Sequence, residues 1–156
     1  MKHSIGKLVA RIHESSHKWL AKELASAGLR GLAPSHGDVL ACLFWNGEAS
    51  MRELADFARR TRPTITVLVD KMEELGLVSR RKSESDTRSQ IVSLTPLGEA
   101  LRPAFEDISR RFVAMLYDGI GEKEAIAAEK TLSKILSNLE DEPSQPINNK
   151  AKENKR

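Results

Sequence analysis

Apolar residues recur every three or four positions along most of this chain, and glycine, proline or capping residues fill the breaks in that rhythm. Ile5, Leu8, Val9, Ile12, Trp19, Leu20 and Leu24 share one face and predict a long first helix over 4–27, which Gly28 and Gly31 stop. Ser35 and Asp38 form an S-x-x-D capping box after Pro34. The helix they open buries Val39, Leu40, Leu43 and Phe44 and ends at Gly47. Ser50 and Glu53 repeat the signature before a short helix carrying Met51, Leu54 and Ala55. Thr61 or Arg62 caps the next helix, with Pro63 in its first turn, where a missing N–H costs nothing. Gly76 closes it.

The period then changes. Residues 77–81 and 90–94 read as two short strands joined by a polar link, Lys82 to Ser89. Thr95 caps a long helix with Pro96 at its first position and an apolar stripe of Leu97, Leu101, Ala104, Phe105, Ile108, Phe112 and Leu116. After a break at 118–121, a last helix puts Ala125, Ala128, Leu132, Ile135, Leu136 and Leu139 on one face. From Asp141 onward the chain is polar, with Pro143 and Pro146, and reads as a disordered tail. The expected fold is mainly α with a small two-stranded β-wing: a winged helix-turn-helix lobe beside further helices.

Charge changes the picture by its placement. The net charge is only +3, and residues 50–90 carry nine cations against seven anions, so pI decides nothing. Arg59, Arg60 and Arg62 cluster at the turn before the fourth helix, and Arg80, Arg81, Lys82 and Arg88 lie in the ribbon. A helix-turn-helix with a basic wing presents those two places to one side, which suits a DNA groove and its phosphates. On the helix over 62–75, Ile65, Leu68, Val69, Met72 and Leu75 form the packing face. The opposite face carries Pro63, Thr66, Val67, Asp70, Lys71 and Glu74, with its carboxylates toward the C-terminal end. That gradient favours entry N-terminus first. Thr66 then hydrogen-bonds a base edge, and the methyls of Thr66 and Val67 meet a thymine methyl.

The segment 64–80, the wing motif DTRS over 86–89 and VSLTPLG over 92–98 together resemble the MarR family of winged-helix transcriptional regulators, from the first helix to about Leu139. The resemblance implies a homodimer that binds a pseudo-palindromic operator in double-stranded DNA, with recognition helices about 34 Å apart. It divides the chain into a dimerisation helix at 1–30, a DNA-binding lobe at 34–95, dimerisation helices at 96–140 and the tail at 141–156. Arg60, Arg62, Pro63, Thr64, Thr66, Val67 and Lys71 would read or flank the major groove. Arg81, Lys82 and Arg88 would hold phosphate or minor groove, with Asp86 positioning Arg88. It also implies repression relieved by a small anionic or phenolic effector, with Arg11, Trp19, His36 and Trp45 as candidate pocket residues.

Other chemistry is thin. Cys42, the only cysteine, excludes an internal disulfide and sits among apolar neighbours, which suits a buried small hydrophobe better than an oxidant sensor. His13 and His17 have the i, i+4 spacing of a metal pair, yet read as surface or interface histidines, and no metal or cofactor is expected. No phosphate loop, H-E-x-x-H or nucleophile elbow is present, so no enzyme is expected. No apolar run nears the ~18 residues of a membrane span, and the N-terminus lacks a signal-peptide core, so a cytoplasmic protein with no membrane partner is expected. The competing readings are a winged-helix protein-interaction module and a redox- or metal-responsive regulator acting through Cys42 or His13 and His17.

Overall fold

The computed structural model describes residues 4–83 and 89–140. In chain order it has α1 (Ile5–Ser26), a 3-10 turn (Pro34–His36), α2 (Gly37–Asn46), β1 (Glu48–Ser50), α3 (Met51–Ala58), α4 (Arg62–Glu74), β2 (Val78–Lys82), β3 (Gln90–Leu94), α5 (Pro96–Glu99), α6 (Arg102–Leu116) and α7 (Glu122–Glu140). The expected class, mainly α with a small β-wing, holds.

The sheet has three strands rather than two, in the order β1-β3-β2, all antiparallel. β1 is only Glu48–Ser50, squeezed between Gly47 and the capping Ser50, too short to show a period of its own. The Ser50–Glu53 capping box forms in full: Glu53 N–H donates to Ser50 Oγ at 3.2 Å, and Ser50 N–H to Glu53 Oε2 at 2.7 Å. The box expected at Ser35 and Asp38 does not. A 3-10 turn precedes α2, whose N-cap is His36, and the Ala33 N–H donates to His36 Nδ1 at 2.9 Å instead. The long helix expected after Thr95 is also interrupted, between α5 and α6 at Ala100 and Leu101. Pro103 accounts for the break: it lacks the N–H that would reach back to Glu99, and its ring crowds that carbonyl.

The chain divides into two compact units, Met1–Val113 and Ala114–Arg156, with the boundary inside α6. The core of the first unit joins Val39, Leu40 and Leu43 of α2, Leu54 of α3, Ile65, Val69 and Met72 of α4, and Val92 of β3, none more than 1 % exposed. Thr95 locks the sheet to α5. Its hydroxyl donates to Gly76 O at 2.6 Å and accepts from Gly98 N–H at 3.1 Å, while its own N–H reaches Leu77 O at 3.0 Å. The backbone comes so close here that a Cβ at Gly98 would sit 2.0 Å from Leu77 O, so the glycine of the VSLTPLG segment is a steric requirement. The second unit contrasts with this: no residue of α7 is buried, and Ile126, Leu132, Leu136 and Leu139 are exposed.

Candidate nucleic-acid interface

α3 and α4 meet at a three-residue turn, Arg59 to Thr61. Arg59 occupies the left-handed region with φ 49°, the only non-glycine to do so among the described residues, and the Arg60 N–H returns to Ala55 O at 3.0 Å. Thr61 is the N-cap of α4, accepting from Thr64 N–H at 3.4 Å, and its hydroxyl lies 2.9 Å from that of Thr64. Thr64 is thus engaged at the helix start. Thr66 donates its hydroxyl to Arg62 O at 2.9 Å, which leaves its oxygen lone pairs outward as acceptors for a base amino group. Val67 is 67 % exposed beside it. Pro63 is also exposed at this end.

Arg59, Arg60 and Arg62 are exposed, and none makes an ion pair among the described residues. A helix N-terminus already carries about half a positive charge, so arginines there oppose the dipole and an anion relieves them. The carboxylates farther along are neutralised. Lys71 Nζ sits 3.0 Å from Glu74 Oε2, and Asp70 and Glu73 both turn to Arg80 at the wing base. The outer face of α4 therefore grades from unpaired cations to compensated charge.

The wing arginines are not equivalent. Ala49, Val92 and Arg80 align across the three strands on the core side, while Glu48, Ser93, Ile91 and Arg81 share the other face. Arg80 is only 15 % exposed and spans to α4: one guanidinium nitrogen bonds Asp70, and Nε lies 3.4 Å from Glu73 Oε2 without hydrogen-bond geometry. It joins the wing to the helix and is not a free cation, a role that the charge pattern alone did not reveal. Arg81 crosses β3 to hold Glu48 with two contacts, 2.9 and 3.0 Å. Lys82 is exposed at the end of β2. The expected wing-tip pair, Asp86 and Arg88, lies outside the described residues.

The four candidate effector residues are not brought together. A cavity of about 320 Å³ opens between α1, the 3-10 turn, α2 and α6, walled mainly by Leu24, Leu40, Phe105, Ile108 and Phe112. His36 lines it; Arg11, Trp19 and Trp45 do not. Trp45 is 88 % exposed at the end of α2, so neither pocket nor core claims it. Trp19 packs on Phe112 at 5.6 Å between ring centres, with Arg111 over its ring, and Arg111 in turn pairs with Glu23 and Asp107. Phe112 and Ser109 are wall residues that the helical stripe alone could not single out from packing residues. His36 is 6 % exposed. Its Nδ1 lies 2.9 Å from the Ala33 amide nitrogen and 3.1 Å from the Ala33 carbonyl oxygen, while Nε2 is buried without a partner among the described residues. Burial, and then the charge of Lys71, hold the His36 pKa below its usual value.

Cys42 is buried, and burial pushes its thiol upward; Asn46 donates to its sulfur at 3.4 Å. A thiol so placed is a poor nucleophile. The rings of His13 and His17 are 5.7 Å apart on α1, and no group of three potential metal ligands forms among the described residues.

Comparison with known proteins places this geometry. A family model described as MarR family matches residues 32–90. The chain is 33 % identical over 106 residues to the HTH-type transcriptional regulator FarR of Neisseria gonorrhoeae, covering 66 % of this chain and 70 % of that protein. Across four of the curated relatives it matches, the matched stretch spans 46 to 70 % of their length. Among solved structures, the S. aureus MepR-DNA complex superimposes with a TM-score of 0.79 at 23 % identity, over 88 % of this chain and 99 % of that one. A structure concerning regulation of DNA binding of Bordetella bronchiseptica BpsR by 6-hydroxynicotinic acid superimposes with a TM-score of 0.75 at 19 % identity, over 87 % of this chain and 96 % of that one.

Proposed function

We propose, because this chain belongs to the MarR family of transcriptional regulators, that it binds double-stranded DNA as a homodimer and represses until a small molecule occupies the cavity beside His36. It is a regulator, not an enzyme. No helix among the described residues is long and apolar enough to cross a membrane.

The observation that carries the DNA reading is the N-terminal end of α4: exposed Thr66 and Val67 beside three arginines without ion pairs among the described residues, on a helix whose acids are already compensated. Arg60, Arg62, Pro63, Thr64, Thr66, Val67 and Lys71 flank or read the major groove. Arg81, Lys82 and Arg88 hold phosphate or minor groove. Arg81 must loosen its grip on Glu48 to do so, at little cost for an exposed pair. Arg80 acts differently: it fixes the wing's angle to α4 and screens Asp70 and Glu73 from phosphate.

The homodimer is supported by unpartnered apolar faces, Ile5, Leu8, Val9 and Ile12 on α1 and Ile126, Leu132, Leu136 and Leu139 on α7. A second copy covers both, and two-fold symmetry sets two α4 helices about one DNA turn apart. The 3-10 turn that carries His36 packs against both α1 and α4, so a ligand that displaces this turn acts on α4 directly.

The test is fluorescence anisotropy on duplexes selected from a random library. Arg88→Ala lowers affinity for many sequences alike and flattens the log–log salt slope by about 0.9. Val67→Ala changes preference at one base pair more than it changes overall affinity. Unchanged binding by both variants means that the assigned face is wrong.

A further inference from the structure

We propose that the cavity beside His36 takes an uncharged, largely apolar ring compound carrying one hydrogen-bond acceptor, and rejects the carboxylate of the same shape. The proposal rests on the effector reading for where the ligand sits, and narrows the expected anionic or phenolic effector to an uncharged one.

Three observations carry it. First, the walls are almost wholly hydrocarbon: Leu24 from α1, Leu40 from α2, and Phe105, Ile108 and Phe112 from α6. At about 320 Å³ the cavity is at the small end of ligand sites, sized for a fused ring and a short substituent. Second, no lysine or arginine lines it among the described residues, and its one carboxylate, Asp38, is exposed and repels anions. Arg111, between the wall residues Ser109 and Phe112 on α6, already answers Glu23 and Asp107. His36 is a poor counter-charge too, because it is buried and burial holds its pKa below the usual value. A carboxylate entering this cavity loses its hydration and meets no counter-charge, the most costly form of burial. Third, the wall offers a donor. Ser109 of α6 brings a hydroxyl to it, and a ligand carbonyl seated there accepts its hydrogen bond.

The experiment is isothermal titration calorimetry of the full chain with two isosteric probes, 2-naphthamide and 2-naphthoate, at pH 7.5. The amide binds at least tenfold more tightly than the carboxylate. Ala41→Phe from α2 and Ser109→Phe from α6 each project a ring into the cavity, and either one that retains the wild-type circular dichroism spectrum weakens the amide at least tenfold. Equal or tighter binding of the naphthoate overturns the proposal. So does failure of both probes to bind at millimolar concentration, or amide binding that both folded, filled variants retain. DNA affinity measured with and without the amide separates the two readings. Amide binding that the fillings abolish, with DNA affinity unmoved, sustains the ligand class and removes the effector role.

Discussion

α4 and α7 are both amphipathic helices with a clear apolar stripe, and they end up in opposite states. Ile65, Val69 and Met72 of α4 are fully buried, whereas α7 has no buried residue and leaves Leu132, Leu136 and Leu139 open. Hydrophobic spacing alone says only that a face wants covering. In the lobe, α2, α3 and the sheet cover it; the stripe of α7 is left open, and in the homodimer proposed above a second copy covers it.

The strongest way to break this comparison is to truncate one apolar residue on each side. Leu54→Ala removes a fully buried side chain and lowers stability by about 2–5 kcal/mol at any protein concentration, read by urea unfolding. Leu132→Ala costs under about 0.5 kcal/mol where the chain is monomeric and several-fold more where it is dimeric. Equal, concentration-independent costs would erase the distinction between the two regions.

Gly98→Ala tests the lobe's closure at one atom. A methyl there collides with the Leu77 carbonyl, and backbone must move; overpacking of this kind costs about 1–3 kcal/mol, visible as a lower urea midpoint.

His36 gives a smaller, pH-dependent effect. Its folded-state pKa lies below the usual value of 6.5, so below that pH the unfolded chain binds the proton that the folded chain refuses. Stability therefore falls as pH drops from 7.5 through 6.5 toward 5.5. His36→Asn, which keeps an acceptor for Ala33, flattens that slope in thermal melts taken across the range. An unchanged slope would place the titration elsewhere.

The smallest effect belongs to the turn. Arg59 sits at φ 49°, where glycine is at ease, so Arg59→Gly changes stability by at most about 1 kcal/mol, in the stabilising direction. The same substitution weakens DNA binding if the guanidinium meets phosphate, so thermal melts and anisotropy move in opposite directions.

Much of this architecture was legible along the chain because it is written in short-range signals. Capping at Ser50, Thr61 and Thr95, the glycine stops and the helical stripes need only neighbours in sequence. What escaped depends on what lies across space. β1 exists because β3 offers it an edge, and the break before α6 turns on Pro103, which the long apolar stripe masks. The role of Arg80 was partly within reach: in a strand with Val78 facing inward, the alternation puts Arg80 inward too, toward the acids of α4. The pocket was not. Trp19, Trp45 and Arg11 were candidates by residue type, while the cavity is walled by apolar side chains that no local pattern separates from core.

The account stands or falls on two copies of α4 acting together. Take a selected operator with both half-sites and a duplex with one half-site scrambled, and titrate each by anisotropy, with light scattering to count chains per duplex. Two chains on the full site and an affinity at least a hundredfold above the half-site are predicted. One chain per duplex, or equal affinity for both, would contradict it.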